Sequence, residues 1–545
     1  MKRQTHLIEI SALLLYAVAL IVIMYYHEPW FDEAQAWLIA RDATIRELFT
    51  SIMHYEGHPP LWFLMLMPFA KSGVPFEIGI KFVNFMLVTL AMGIVIFKAP
   101  FHRAIRCTIP FTYFFFYQYG VISRTYSLMM LGFVLSALLY KDRNEKPFRF
   151  IAALSLICGA SAYGILISAG IVIAWLWEIF GKSLSINQIK CFLKSKSFYA
   201  LLILLIYNML LLLCIYPYYD TYATNTMQKG SSIAMLFYMF FMAPADATCF
   251  LVLSNSTKNM SIYFLTSTIV MSCLIHIKLL VVTKTFNKQA LYIVPYLLFA
   301  LFAGTVYFGV THIGIISMFY LFLFWCCYDE RQKTIEDPQI MRNLIRGNPL
   351  KKCLYYGERV MLIMIIGVSI SWSIAASINE ISFNYGTGRG TSQFIKDNKL
   401  DQLDILVAWR QIIDSDSGEK YNDYNSLLGI PALAYFNENI FYNFNYQLNN
   451  QCYLLHKIDT NGFDTKKRIE SEYPEVLLGI DNPNYTFGSE INLDDYALVK
   501  SVHGNTIWKN KTIENREFIF IRKDLLKNYP YLKPLNLKDE MIQKG

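Results

Sequence analysis

Two adjacent carboxylates, Asp32-Glu33, stand in the stretch His27-Glu28-Pro29-Trp30-Phe31-Asp32-Glu33-Ala34-Gln35-Ala36-Trp37, just past the first long apolar run. Gly57-His58-Pro59-Pro60 follows about one amphipathic helix later. Arg124 lies in Ser123-Arg124-Thr125-Tyr126-Ser127-Leu128, and His312 in Val310-Thr311-His312-Ile313-Gly314. Asp220 opens a tyrosine-rich loop with Tyr216, Tyr218, Tyr219 and Tyr222. Ionisable groups at membrane depth are costly, so they normally face a wet cavity and mark function. A carboxylate here could take a proton from a hydroxyl. Cationic and hydrogen-bonding groups could hold phosphate on a leaving group. A donor with its phosphate at the membrane surface and its bulk in lipid is a polyprenyl-phosphate sugar. The chemistry is then direct displacement at the anomeric carbon, with no nucleotide. Each residue also has a plainer reading. Asp32 and Glu33 suit a helix N-terminus, where the dipole favours acids. Arg124 could snorkel, His58 could cap a turn, His312 could be a satisfied helix-end histidine and Asp220 a solvated loop residue. What favours chemistry is that all of them fall on one face.

That face follows from the membrane-spanning elements. The 545 residues are 55% hydrophobic and 17% charged, and several apolar runs reach about 20 residues, enough to cross a bilayer core as helices. β-barrel strands would be shorter and would alternate. Met1-Lys2-Arg3 precedes the first run, Ile8 to Tyr26, which reads as an uncleaved helix with its basic end in the cytoplasm. Lys and Arg near helix ends are retained on the cytoplasmic side. The connections Lys98 to Arg106, Lys141 to Arg149, Lys182 to Lys196, Lys278 to Lys288 and Asp329 to Lys352 therefore lie inside. The segment 27–58, with six acids against Arg41 and Arg46, lies outside.

Counting every apolar run as a crossing gives 13 and puts basic loops, among them Lys98 to Arg106 and Lys182 to Lys196, on the wrong side. The conflict disappears if 59–72 and 232–253 do not cross. Pro59-Pro60, Pro68 and Pro244 interrupt them, and proline bends or ends a helix. Eleven crossings remain: 8–26, 79–98, 104–119, 124–140, 148–163, 166–181, 198–217, 261–283, 290–308, 312–328 and 355–377. The expected fold is thus a polytopic α-helical membrane protein of 11 to 13 crossings. Residues 1–378 form the membrane domain, with exterior loops 27–78 and 218–260, and 379–545 form an exterior α/β domain.

The C-terminal part differs in composition, with 23 acids, 19 bases and one cysteine, Cys452. An internal disulfide is excluded there, which fits a bacterial exterior domain. Leu403 to Trp409 and Glu517 to Arg522 read as strands, and Ser426 to Phe436 as a helix. The Tyr- and Asn-rich stretch Phe436 to Tyr453 suits either sugar stacking or a solvated surface. The nine other cysteines show no metal-type spacing, and the net charge of +8 is a matter of topology, not a nucleic-acid signal.

Taken together, these residues resemble glycosyltransferases of the GT-C fold, in particular the protein mannosyltransferase and aminoarabinose-transferase-like branch. The likeness rests on Asp32-Glu33 in the first exterior loop, Gly57-His58-Pro59-Pro60-Leu61, and Ser123-Arg124-Thr125-Tyr126-Ser127-Leu128, in that order across about residues 8–140. Gly120-Val121-Ile122-Ser123 departs from the acidic or alanine-rich element common before the arginine. The resemblance implies an inverting transferase that uses a polyprenyl-phosphate sugar, with Asp32 as base and Glu33 in support. It implies Arg124 on the donor phosphate and His312 near it; His58, Tyr126 and Asp220 complete the expected substrate-binding set. The acceptor would be a hydroxyl of a cell-surface glycan, lipid or protein. No metal is assigned, and a divalent cation at Asp32, Glu33 and Asp220 stays open. The rival readings are a transporter or flippase of a lipid-linked sugar, for which no internal repeat is visible, and a surface-polysaccharide ligase or polymerase with a diphosphate carrier.

Overall fold

The computed structural model describes residues 2–181, 185–218, 232–253, 260–331, 349–413, 420–423, 428–442 and 467–540. Asp220 and Cys452 lie outside them, as does most of the Phe436 to Tyr453 stretch.

Among the described residues seven helices are long and apolar enough to cross a membrane: His6–Tyr26, Phe76–Lys98, Ala162–Phe180, Lys196–Ile215, Ile262–Thr285, Val310–Asp329 and Arg359–Ser382. The protein is therefore polytopic and helical. The other expected crossings are shorter or broken. Tyr126–Leu139 and Pro147–Ala160 have 14 residues each and Gln289–Thr305 has 17. The run 104–119 is not one helix. Pro110 falls in a 3-10 turn, Ile109–Phe111, between the short helix Arg103–Thr108 and a π-helix, Phe114–Val121.

The proline-bearing runs break as their chemistry dictates. Leu61–Lys71 is only 11 residues long, with Pro68 inside it. The 232–253 run divides into Ser232–Phe241 and Ala243–Asp246, with Pro244 in the first turn of the second piece, where its missing N–H costs nothing.

Among the described residues the C-terminal part carries seven strands: β1 Ile405–Val407, β2 Trp409–Ile413, β3 Lys420–Asp423, β4 Val476–Ile480, β5 Tyr485–Thr486, β6 Tyr496–Trp508 and β7 Lys511–Arg522. One sheet has the order β1-β4-β7-β6, parallel at β1/β4 and antiparallel elsewhere. A smaller sheet has the order β3-β2-β5. Side chains alternate across a strand. Ile405, Val407, Ile519 and Ile521 accordingly pack into the apolar core shared with the helical bundle. Leu406, Phe518 and Phe520 fill a separate core on the other face.

Two sequence expectations need correction here. The expected strand Leu403 to Trp409 divides into β1 and the start of β2. The expected helix Ser426 to Phe436 is only Gly429–Leu433 among the described residues. Pro431 cannot donate to a preceding turn, so it belongs at the helix start and not its middle.

Candidate functional site

The helix Phe31–Asp42 begins at Trp30, so Asp32 and Glu33 occupy its first turn and point in different directions. Glu33 turns inward and is fully buried. Its Oε2 accepts from the Trp30 backbone N–H at 3.1 Å, half of a capping box. The same oxygen faces His27 Nε2 at 3.1 Å, and Oε1 accepts from the Ser123 backbone N–H at 2.7 Å. Both carboxylate oxygens are thus engaged by protein.

Asp32 turns toward Arg124, whose Nη2 lies 2.6 Å from its Oδ2. Arg124 is delivered by the π-helix Phe114–Val121, a rare conformation that recurs at functional sites. Asn84, buried on the Phe76–Lys98 helix, donates to the Tyr119 and Gly120 carbonyls at 3.3 and 2.7 Å, closing the end of that helix. Beyond Arg124, the Thr125 hydroxyl donates to the Ala160 carbonyl at 2.8 Å. The guanidinium therefore projects from a backbone fixed on both sides. It lies 5.2 Å from the Tyr126 ring centroid and 5.9 Å from that of Trp30.

Four buried polar atoms around this pair have no protein partner: Arg124 Nη1, Trp30 Nε1, the Ser123 hydroxyl and the Tyr126 hydroxyl. Buried donors left unpaired cost about 1–3 kcal/mol each. Unpaired groups of this kind on and beside one arginine suit an anion with several acceptor oxygens.

His58 follows Gly57, which has φ +67 and ends the short helix Met53–Glu56. A left-handed residue there favours glycine. His58 is partly buried, and burial together with Arg124 pushes its imidazole down to about 4, against the pull of Asp32. It is a neutral hydrogen-bonding group at physiological pH. His312 is buried, and its Nδ1 lies 3.0 Å from the Gly309 N–H and 3.3 Å from the Gly309 carbonyl. Tyr163, Tyr307, Phe308 and Tyr126 surround its ring at 4.8 to 5.9 Å. Tyr119 ties the two loops together by donating to the Thr311 carbonyl at 2.7 Å. His58 and Arg124 both lie close to His312.

Asp32, Glu33, His58, Arg124, Tyr126 and His312, drawn from four separate stretches of chain, therefore meet in one place. Asp220 falls outside the described residues. No group of three or more His, Cys, Asp or Glu residues suited to a metal occurs among the described residues.

The sequence reasoning missed Glu56. Burial and the neighbouring Asp32 raise its carboxyl to about 8, and Gln35 donates to it at 2.5 Å. Its place two residues before His58 was the available signal. It also assigned no role to His27, Trp30 or Glu380. The first two stand in the same stretch as Asp32, and the third is an acid at the end of an apolar run.

No protein-family model matches this chain, and no curated protein or solved structure matches it.

Proposed function

We propose that this protein is an integral-membrane, inverting glycosyltransferase of the GT-C type. It moves a sugar from a polyprenyl monophosphate to a hydroxyl of a cell-surface glycan, lipid or protein. The observation that carries this reading is Arg124, with one arm on Asp32 at 2.6 Å and the other buried and unpartnered. A planar guanidinium can hold two oxyanions side by side, which an ammonium does poorly.

In this scheme the donor phosphate takes Arg124 Nη1, with Trp30 Nε1, the Tyr126 hydroxyl and the His312 imidazole as further donors. Asp32 stays on Nη2, oriented to receive the acceptor proton. The acceptor oxygen bonds to the anomeric carbon from the face opposite the phosphate, and its proton goes to Asp32. The carbon–oxygen bond to phosphate breaks, and its electron pair leaves with the polyprenyl phosphate. Arg124 thus opposes charge on the leaving group without neutralising the base. Glu33, with both oxygens engaged, supports this geometry and is not the base.

The same reading takes eleven crossings, with 59–72 and 232–253 not crossing. It puts the N-terminus in the cytoplasm of a bacterial-type plasma membrane and residues 379–545 on the exterior face, packed against the helical bundle. The positive-inside distribution of basic loops supports this.

The test is transfer in proteoliposomes containing the full chain and a panel of undecaprenyl-phosphate sugars, with release of undecaprenyl phosphate as readout. Asp32→Asn should slow turnover by about 10²–10⁴-fold, the range of a general base. Undiminished turnover by the variant would remove Asp32 as base. Consumption of diphosphate-linked donors alone would replace the reading with the ligase.

A further inference from the structure

The proposed chemistry leaves the fully buried ionisable side chain of His27 unused. His27 lies between two carboxylates, with Nε2 3.1 Å from Glu33 Oε2 and Nδ1 3.0 Å from Glu380 Oε1. Tyr117, on the π-helix, donates to the same Glu380 oxygen at 2.6 Å. Tyr385 meets the imidazole ring edge-on at 5.0 Å. The His27 carbonyl accepts from Lys81 Nζ at 2.6 Å and from Arg389 Nη2 at 2.9 Å. Glu77 binds both of those cations, and next door the Glu28 carboxylate accepts from the Arg389 backbone N–H at 2.7 Å. The groups facing His27 thus come from the first-loop helix, the π-helix, the Phe76–Lys98 helix, the Arg359–Ser382 helix and the segment beyond it.

A neutral imidazole has one donor and one acceptor nitrogen. Carboxylate oxygens only accept, so a neutral ring would leave one carboxylate against a lone pair. Both contacts are satisfied only by the imidazolium. Burial by itself would push His27 down, yet Glu380 and Glu33 together raise it to about 9.

What His27 holds decides its importance. Glu33 ties the Trp30 backbone, two residues before Asp32, to the Ser123 backbone, one residue before Arg124. We propose that the His27 imidazolium is a positioning residue: it clamps Glu33 to Glu380 and thereby sets the Asp32–Arg124 geometry. Through it the last long helix and the Arg389 segment become structural parts of the site. That significance rests on the reading of Asp32 and Arg124 as the reacting pair.

The test uses the full chain in nanodiscs and two independent readouts. Hydrogen exchange at the Ser123 amide, normalised to its intrinsic rate, reports whether Glu33 is held. Binding of undecaprenyl phosphate reports the site. In wild type, Ser123 protection should fall as pH rises through about 9. His27→Gln should lower protection by about tenfold, the worth of one hydrogen bond, and abolish that alkaline limb. Glu380→Gln, which keeps a hydrogen-bond partner but removes a charge, should move the limb to lower pH. It carries the test if His27→Gln does not fold. Binding of undecaprenyl phosphate should weaken in both variants.

If Ser123 protection has the same level and pH profile in the variants as in wild type, the clamp is refuted. If wild type does not bind undecaprenyl phosphate, the donor reading fails, while the exchange readout still decides the clamp.

Discussion

The molecule contains two contrasting ion pairs between loops. Lys509 and Asp246 are both fully buried, with Nζ 2.5 Å from Oδ1. Asp246 also accepts from the Tyr238 hydroxyl at 2.7 Å and from the Val252 and Leu253 N–H groups at 3.2 and 3.0 Å. Lys509 further donates to the Asp246 and Phe250 carbonyls and lies 4.6 Å from the Trp372 ring centroid. Nothing in this pair is left to offer a ligand. Arg124–Asp32 is the reverse: Asp32 remains 29% exposed, and one arm of the buried guanidinium has no partner. A closed pair fastens the β6–β7 turn into the helical bundle, whereas an open pair keeps bonding capacity for something else. Lys509 even holds φ +55, a left-handed conformation that disfavours lysine, at a turn that glycine or asparagine would enter freely.

The largest predicted effect lies at the closed pair. Lys509→Met leaves Asp246 buried and unpaired and should cost about 3–5 kcal/mol of stability, read as a lower melting temperature. The double variant Lys509→Met/Asp246→Asn should recover most of it. A loss under about 1 kcal/mol in the single variant would erase the distinction between the pairs.

At the open pair, Asp32→Asn should leave stability within about 1 kcal/mol of wild type, because water reaches the site, while abolishing most transfer. A large drop in melting temperature would instead make Asp32 structural. Arg124→Lys keeps the charge but cannot serve two oxyanions from one plane, and should weaken undecaprenyl-phosphate binding by about tenfold. Equal affinity would remove the reason for an arginine.

The smallest effect is a pH dependence. Glu56 is raised to about 8 in the folded protein, so its neutral form dominates at physiological pH. The stability contributed by that neutral form is present below the usual glutamate range near 4.5 and is lost as pH rises through about 8. The new negative charge beside Asp32 should also weaken undecaprenyl-phosphate binding a few-fold, and Glu56→Gln should flatten that dependence. Binding that strengthens with pH would put the anion elsewhere.

These features were unequally legible in the sequence. The helix start at Asp32-Glu33 was readable from local chemistry. Pro244 announced the break in the 232–253 run. The π-helix before Arg124 was not readable, because nothing in the local pattern of Phe114–Val121 marks it and its conformation depends on contacts such as Asn84. The two carboxylates were also indistinguishable by type. Neighbouring residues on a helix point about 100° apart, and only the surroundings decide which of them meets a buried histidine.

Composition and spacing by themselves determined a helical protein with membrane-length apolar runs, a β-containing C-terminal part, and a short set of ionisable groups worth suspecting. Those properties follow from local chemistry: apolar length, strand propensity and proline's missing N–H. The tertiary structure alone decided that Asp32 is open while Glu33 is locked, that His27 reaches Glu380 across 353 residues, and that Lys509 closes on Asp246 across 263. The physical reason is that a buried charge is defined by its partners. Those partners come from stretches of chain whose meeting no local pattern records.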